Sequence, residues 1–170
     1  RAAIADVRAG RPRPDVFADY RGQVHPDKHL AFAIASVADP ARIRNGEPFN
    51  TILFGLLVLA AISKAVLALG MFQASFLRGL VMLALGLLIP VAFAVAVRRH
   101  EGQAYPLLML LAGLGALRSL LEIGAYGAWM LLDAAVLAVI AGLAFEVQRR
   151  VFPNLRLFSV RKDAQGAYQW

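Results

Sequence analysis

Beyond Asn50 the chain turns almost continuously apolar, in four long runs separated by short joints: residues 51–70, 76–97, 105–124 and 126–147. A bilayer core about 30 Å thick takes roughly 20 apolar residues per helix, and each run meets that length. Barrel strands would instead alternate apolar and polar positions over about 10 residues. The pattern therefore predicts an all-α integral membrane protein, a bundle of four transmembrane helices.

Ahead of the runs the pattern changes. Residues 1–27 are polar and broken by Pro12, Pro14 and Pro26, which predicts loop after a short helical piece at 2–9. From Lys28 onward Leu30, Ala33, Ile34, Val37 and Ala41 recur at helical spacing. They predict a short amphipathic helix over about 28–43, interrupted at Asp39-Pro40, because a residue before proline disfavours the helical region. It is too short to span, and the expected place is along the interface with its apolar face down. Packing beneath the bundle is the alternative. Arg44-Asn45-Gly46-Glu47-Pro48 predicts a turn, with Asn50 capping the first span. After the fourth span an irregular alternation, the Asp163 to Gly166 turn and the aromatic end at Tyr168 and Trp170 predict a hairpin-like tail. An isolated hairpin is marginal in water, so this one needs a surface to lean on. The chain thus divides into an N-terminal segment (1–49), a transmembrane domain (50–148) and a C-terminal tail (149–170).

Composition agrees with the pattern. The chain is 59% hydrophobic and 17% charged, with a mean hydropathy of +0.61, against about 45–50% and 25% for soluble domains. With no cysteine, disulfide and thiolate chemistry are excluded. Residues 1–10, RAAIADVRAG, lack the apolar core of a secretory signal peptide.

A net charge of +7 invites a nucleic-acid reading, which the placement of the charges opposes. Of the 18 Lys and Arg, eight precede Thr51, two follow the second span and five follow the fourth. The loops at 71–75 and 123–127 contain none. Lys and Arg in short loops mark the cytoplasmic face. Both termini and the 98–103 loop are therefore expected in the cytoplasm, with anionic headgroups as neighbours and no nucleic acid. A bacterial inner membrane is the expected location.

Charge inside the spans is costly, by about 2.5–3.5 kcal/mol on insertion scales, and usually faces the bundle interior. Arg118 and Asp133 lie equally far in sequence from the turn joining spans three and four. A rise of about 1.5 Å per residue puts them at one depth, where a charge-assisted pair is the natural solution. Glu122 shares a helical face with Arg118, and Lys64 approaches the same level from the first span, among Ala60, Ala61 and Ala68. These four form the expected intramembrane network, either a structural device that sets helix register or a solute-binding pocket. Arg78 is expected to snorkel to the outer interface, and Pro90 to kink the second span. Tyr105, Tyr126 and Trp129 suit interface anchors.

Other motifs carry little. His25-Pro26-Asp27 matches the triplet of J-domain co-chaperones, but too few residues separate it from Asp39-Pro40, and no long basic helix precedes it. His25, His29 and His100 suit surface histidines, so no metal site is expected, and no catalytic motif or cofactor site is recognisable. The expectation is a non-enzymatic membrane protein acting through a protein partner, as an accessory, regulatory or immunity-type subunit. The alternative is a homo-oligomeric transporter or channel subunit that uses the charge network as its polar path.

Overall fold

A computed structural model describes residues 2–23, 26–72, 75–157 and 159–170, the side chains of Met71, Arg78, Met82, Leu85 and Tyr126 excepted. Eight helices occupy the described residues: α1 (Ala2–Arg8), α2 (Arg13–Tyr20), α3 (Asp27–Ala35), α4 (Pro40–Phe72), α5 (Phe76–Arg98), α6 (Ala104–Leu121), α7 (Ile123–Tyr126) and α8 (Trp129–Val151). Of these α4, α5, α6 and α8 are long and apolar enough to cross a membrane. The termini and the 99–103 loop share the proximal end of the bundle, and the other two joints share the distal end.

Three points differ from the sequence reading, and the first is that the loop expected after residue 9 contains α2 (Arg13–Tyr20), with Pro14 in its first turn where proline is tolerated. Residues 28–43 do not form one helix. Asp39 accepts the amide of Ala41 on its side chain at 2.9 Å, as an N-cap does. Pro40 follows at the first helical position, where a missing N–H costs nothing. A new helix thus starts at Pro40, and α3 stops at Ala35. The expected turn at 44–48 is also absent, because α4 runs unbroken through Gly46 and Pro48 for 33 residues. At 1.5 Å per residue α4 is about 50 Å long, well beyond a bilayer core of about 30 Å. Its first turns therefore project from the proximal end. Gly46 explains why they stay packed: a Cβ there would lie 2.5 Å from Cγ2 of Val151 on α8.

The bundle order follows from buried stripes of small and branched residues. On α4 these are Asn50, Leu53, Leu57, Ala61 and Ala68; on α6 they are Tyr105, Leu108, Ala112 and Ser119. On α8 they are Ile140, Ala144, Val147 and Val151. Spacings of three, four or seven put each set on one helical face, and small residues let membrane helices approach closely. Helix α4 packs on α5 and on α8, and α6 packs on α8. Among the described residues contact between α5 and α6 is slight, and the backbones of α4 and α6 stay apart, bridged by side chains at the proximal end. Across the bundle the order is α5, α4, α8, α6. The remaining faces expose Leu, Ile, Val and Phe, the surface a lipid solvent requires.

Helices α1 to α3 fold onto the proximal end as a cap. Ala3, Val16, Leu30 and Ile34 form a small core with Phe17 and Trp170 at its edge. Ala31 and Ala35 of α3 belong to the bundle core itself. The apolar face of α3 is therefore covered by protein, which corrects its expected place on the lipid interface. The tail closes the cap. Gln148 donates its side-chain amide to the carbonyl of Leu155 at 2.8 Å, reversing the chain after α8. Antiparallel bridges join Leu155 to Val160 and Lys162 to Tyr168. Asp163 accepts the amides of Gln165 and Ala167 on its side chain, and Gly166 takes a φ of 82°. The tail is hairpin-like in its turns, without a continuous strand among the described residues.

Candidate functional site

The proximal end holds a buried polar cluster that four segments build together. Asn50, on α4, is 3% exposed. Its Oδ1 accepts the hydroxyl of Tyr105 from α6 at 2.7 Å, and its Nδ2 donates to the carbonyl of Val97 on α5 at 3.1 Å. The Val97 carbonyl determines the amide orientation, since it can only accept and so requires the NH2 end. Nδ2 also lies 3.2 Å from Nε2 of His100, and that nitrogen lies 3.1 Å from Oε2 of Glu47. One ring nitrogen cannot serve both at once. With a proton on Nε2 it donates to Glu47; without one it accepts from Asn50.

His100 reaches this position through an unusual backbone. The amide of Glu101 donates to the carbonyl of Ala96 at 3.0 Å, and the amide of His100 donates to that of Val97 at 3.0 Å. These are the two bonds of a Schellman motif closing α5, in which the left-handed position normally belongs to glycine. Here His100 holds it, with φ 52°, the one non-glycine residue at positive φ among the described residues. Such a conformation costs on the order of 1–3 kcal/mol and persists where surroundings over-determine it. Just beyond, Gly102 donates its amide to the Ser36 carbonyl at 3.2 Å. A Cβ on Gly102 would fall 2.8 Å from that same oxygen and 2.9 Å from the Phe152 ring. The loop is thereby locked to the cap on one side and to the bundle on the other.

Two cavities flank His100. One of about 290 Å³ lies toward Glu47, Thr51 and Arg98. The other, about 680 Å³, lies between α1, residues 36–38 after α3, and the loop, with Arg8, Arg99 and Glu101 among its walls. The sequence reading took these residues one at a time: Glu47 in a turn, Asn50 as a cap, His100 as a surface residue, Tyr105 as an anchor. Their convergence carries no local signal, because the four positions fall on separate elements.

The charges within the spans do not form one network. Asp133 accepts the hydroxyl of Ser119 at 2.6 Å, so the cross-helix partner on α6 is Ser119 and not the expected Arg118. Arg118 pairs with Glu122 along its own helix at 2.8 Å, with 78% of its side chain exposed. The expectation erred by one helical position, about 100° of rotation: Ser119 continues the buried stripe of α6 and Arg118 points off it. Lys64 lies on α4 against α5, its Cβ 3.4 Å from where a Cβ on Gly86 would sit, and it makes no ion pair among the described residues. Pro90 lies within α5, which continues through it as a single helix. The side chains of Arg78 and Tyr126, and residues His25 and Phe158, lie outside the described residues. Trp129 is exposed at the start of α8. Among the described residues no three His, Asp or Glu are grouped to hold a metal ion.

On the cap, Phe17 meets Tyr168 edge-on at 5.3 Å and Trp170 at 5.4 Å. The ammonium of Lys162 sits 4.8 Å over the Tyr168 ring. Beside them a cleft of about 630 Å³ opens between α2, the start of α3 and the tail, with Arg21, Lys28 and Lys162 on its rim.

Fold and site together define a class: an all-helical protein with four helices able to cross a membrane, its proximal end sealed by a cap made from both terminal segments. No family model, curated protein or solved structure matches the chain.

Proposed function

We propose that this chain is a non-enzymatic integral membrane protein that acts through contacts with a partner protein, with both termini in the cytoplasm and an inner membrane as its location. The observation that carries the reading is the cap. Two flanks at opposite ends of the sequence are held together by Phe17, Tyr168 and Trp170, so the polar part of the chain is one ordered surface. Its cleft joins an aromatic wall to Lys28 and Lys162, while Arg21 there is paired with Asp27 at 3.2 Å. The two lysines suit an acidic partner segment, because aromatic and basic side chains together supply contact area and charge complementarity. The transport alternative has less support. Lys64 lies toward α5 whereas Asp133 bonds Ser119 between α6 and α8, which favours separate roles for these charges over a shared path.

Gentle solubilisation from native membranes, followed by the mass and composition of the recovered complex, tests the proposal. A second protein in defined ratio, lost on Lys28→Glu with Lys162→Glu, is the expected result. A homo-oligomer alone, unchanged by those substitutions, would overturn it and return weight to transport.

A further inference from the structure

A further cavity runs along the bundle from its proximal end. Because α5 packs on α4 while α6 packs on α8, the two diverge and leave an apolar groove of about 540 Å³ between them. Phe93, Leu88 and Ala92 line it from α5, and Leu107 and Leu111 from α6. From Ala96 to Leu88 is eight residues, about 12 Å at 1.5 Å per residue. One leaflet of a bilayer core is about 15 Å deep, so the groove has the length of a single acyl layer.

At its proximal mouth the groove meets Glu101 and Gln103, and both residues also line the 680 Å³ cavity beneath the loop. That lower cavity is mixed, with Ile4, Val37 and Ile43 on its walls beside two basic side chains. Arg8 of α1 and Arg99 enter it beside His100. Neither arginine has an ion-pair partner among the described residues. Two cations against the single carboxylate of Glu101 leave one net positive charge before His100 is counted. An apolar channel one leaflet deep, sharing Glu101 and Gln103 with a chamber that holds two arginines at the level where the helices end, has the chemistry of a phospholipid.

We propose that the joined cavities bind one anionic phospholipid, an acyl chain in the α5–α6 groove and the phosphodiester between Arg8 and Arg99. Glu101 and Gln103, at the join, face the headgroup and accept hydrogen bonds from its hydroxyls, so a polyol headgroup is preferred. Charge complementarity assigns the occupant: a zwitterionic lipid would add a second cation to a chamber already positive. The site draws α1, the loop and α6 together, and it does not depend on which partner docks on the cap.

The test is native mass spectrometry of the full chain in detergent, titrated with phosphatidylglycerol or with phosphatidylcholine of matched chains. The expected result is preferential retention of phosphatidylglycerol, falling about fivefold for each cation removed in Arg8→Gln and Arg99→Gln, with phosphatidylcholine unchanged. Arg8→Lys and Arg99→Lys keep the preference, which separates lost charge from lost fold. Ala92→Trp, at an exposed position within the groove, lowers retention of both lipids. Equal retention of the two lipids by the unaltered protein, or unchanged retention in the Gln variants, would overturn the headgroup assignment. Unchanged retention in Ala92→Trp would overturn the acyl-chain assignment.

Discussion

Tyr105 donates its hydroxyl to Oδ1 of Asn50 across 2.7 Å, between residues 55 positions apart. Asn50 in turn holds the last carbonyls of α5 through Val97, so one buried amide ties three membrane-length helices at their common end. Tyr105→Phe keeps the ring and removes the donor. It leaves a buried oxygen without its partner, which costs about 1–3 kcal/mol. A reversible unfolding titration in detergent should show that loss. An unchanged midpoint would mean that water reaches Oδ1.

His100 separates backbone strain from side-chain contact. His100→Ala retains a Cβ at positive φ and loses the imidazole, so stability falls. His100→Gly loses the same imidazole but relieves the backbone, and it should be more stable than the alanine variant by about 1 kcal/mol. Equal stabilities would show that the left-handed position is not strained.

Ser119 and Asp133 form the one described polar bond between α6 and α8 within the distal half of the spans. A double-mutant cycle with Ser119→Ala and Asp133→Asn should give a coupling of about 0.6–1.7 kcal/mol, the range for hydrogen bonds between membrane helices. A coupling near zero would remove this contact from the account of how the two helices keep register.

Gly102 carries the contact between loop and cap. Gly102→Ala forces a Cβ toward the Ser36 carbonyl, a backbone atom that cannot rotate away, and overpacking of this kind costs about 1–3 kcal/mol. Limited proteolysis should cut near Ser36 sooner in the variant. Cutting at the unaltered rate would indicate that the loop shifts without cost.

Phe17 tests the unity of the cap. Its contacts with Tyr168 and Trp170 are each worth about 0.5–1.5 kcal/mol beyond buried area. Phe17→Ala should therefore speed amide hydrogen exchange in α1 to α3 and in the tail, leaving α4 to α8 protected. Uniform acceleration through the bundle would instead mean that cap and bundle unfold as one unit.

The four long helices were legible in the chain itself. Continuous apolar runs such as 51–70 and 126–147 can satisfy their backbone in lipid only as helices, so length and hydropathy suffice. The interruption at Asp39-Pro40 was legible from the proline; that α3 ends at Ala35 and a new helix starts at Pro40 was not. The turn predicted at 44–48 failed although Gly and Pro disfavour helix by about 1 and 3 kcal/mol, because tertiary packing such as the close approach of Gly46 to Val151 holds α4 helical through them.

Which residues meet across elements was decided by tertiary structure alone. Arg118 and Asp133 stand at matching depth in sequence, yet depth leaves helix rotation open. The buried stripe from Tyr105 through Ala112 sets that rotation and turns Ser119, one residue on, toward Asp133. The same holds for Glu47, Asn50, His100 and Tyr105, and for Phe17 with Trp170. Hydropathy along a chain reports the solvent each segment requires. The neighbours of each side chain depend on how helices rotate and pack, and that follows from the fit of all the faces at once.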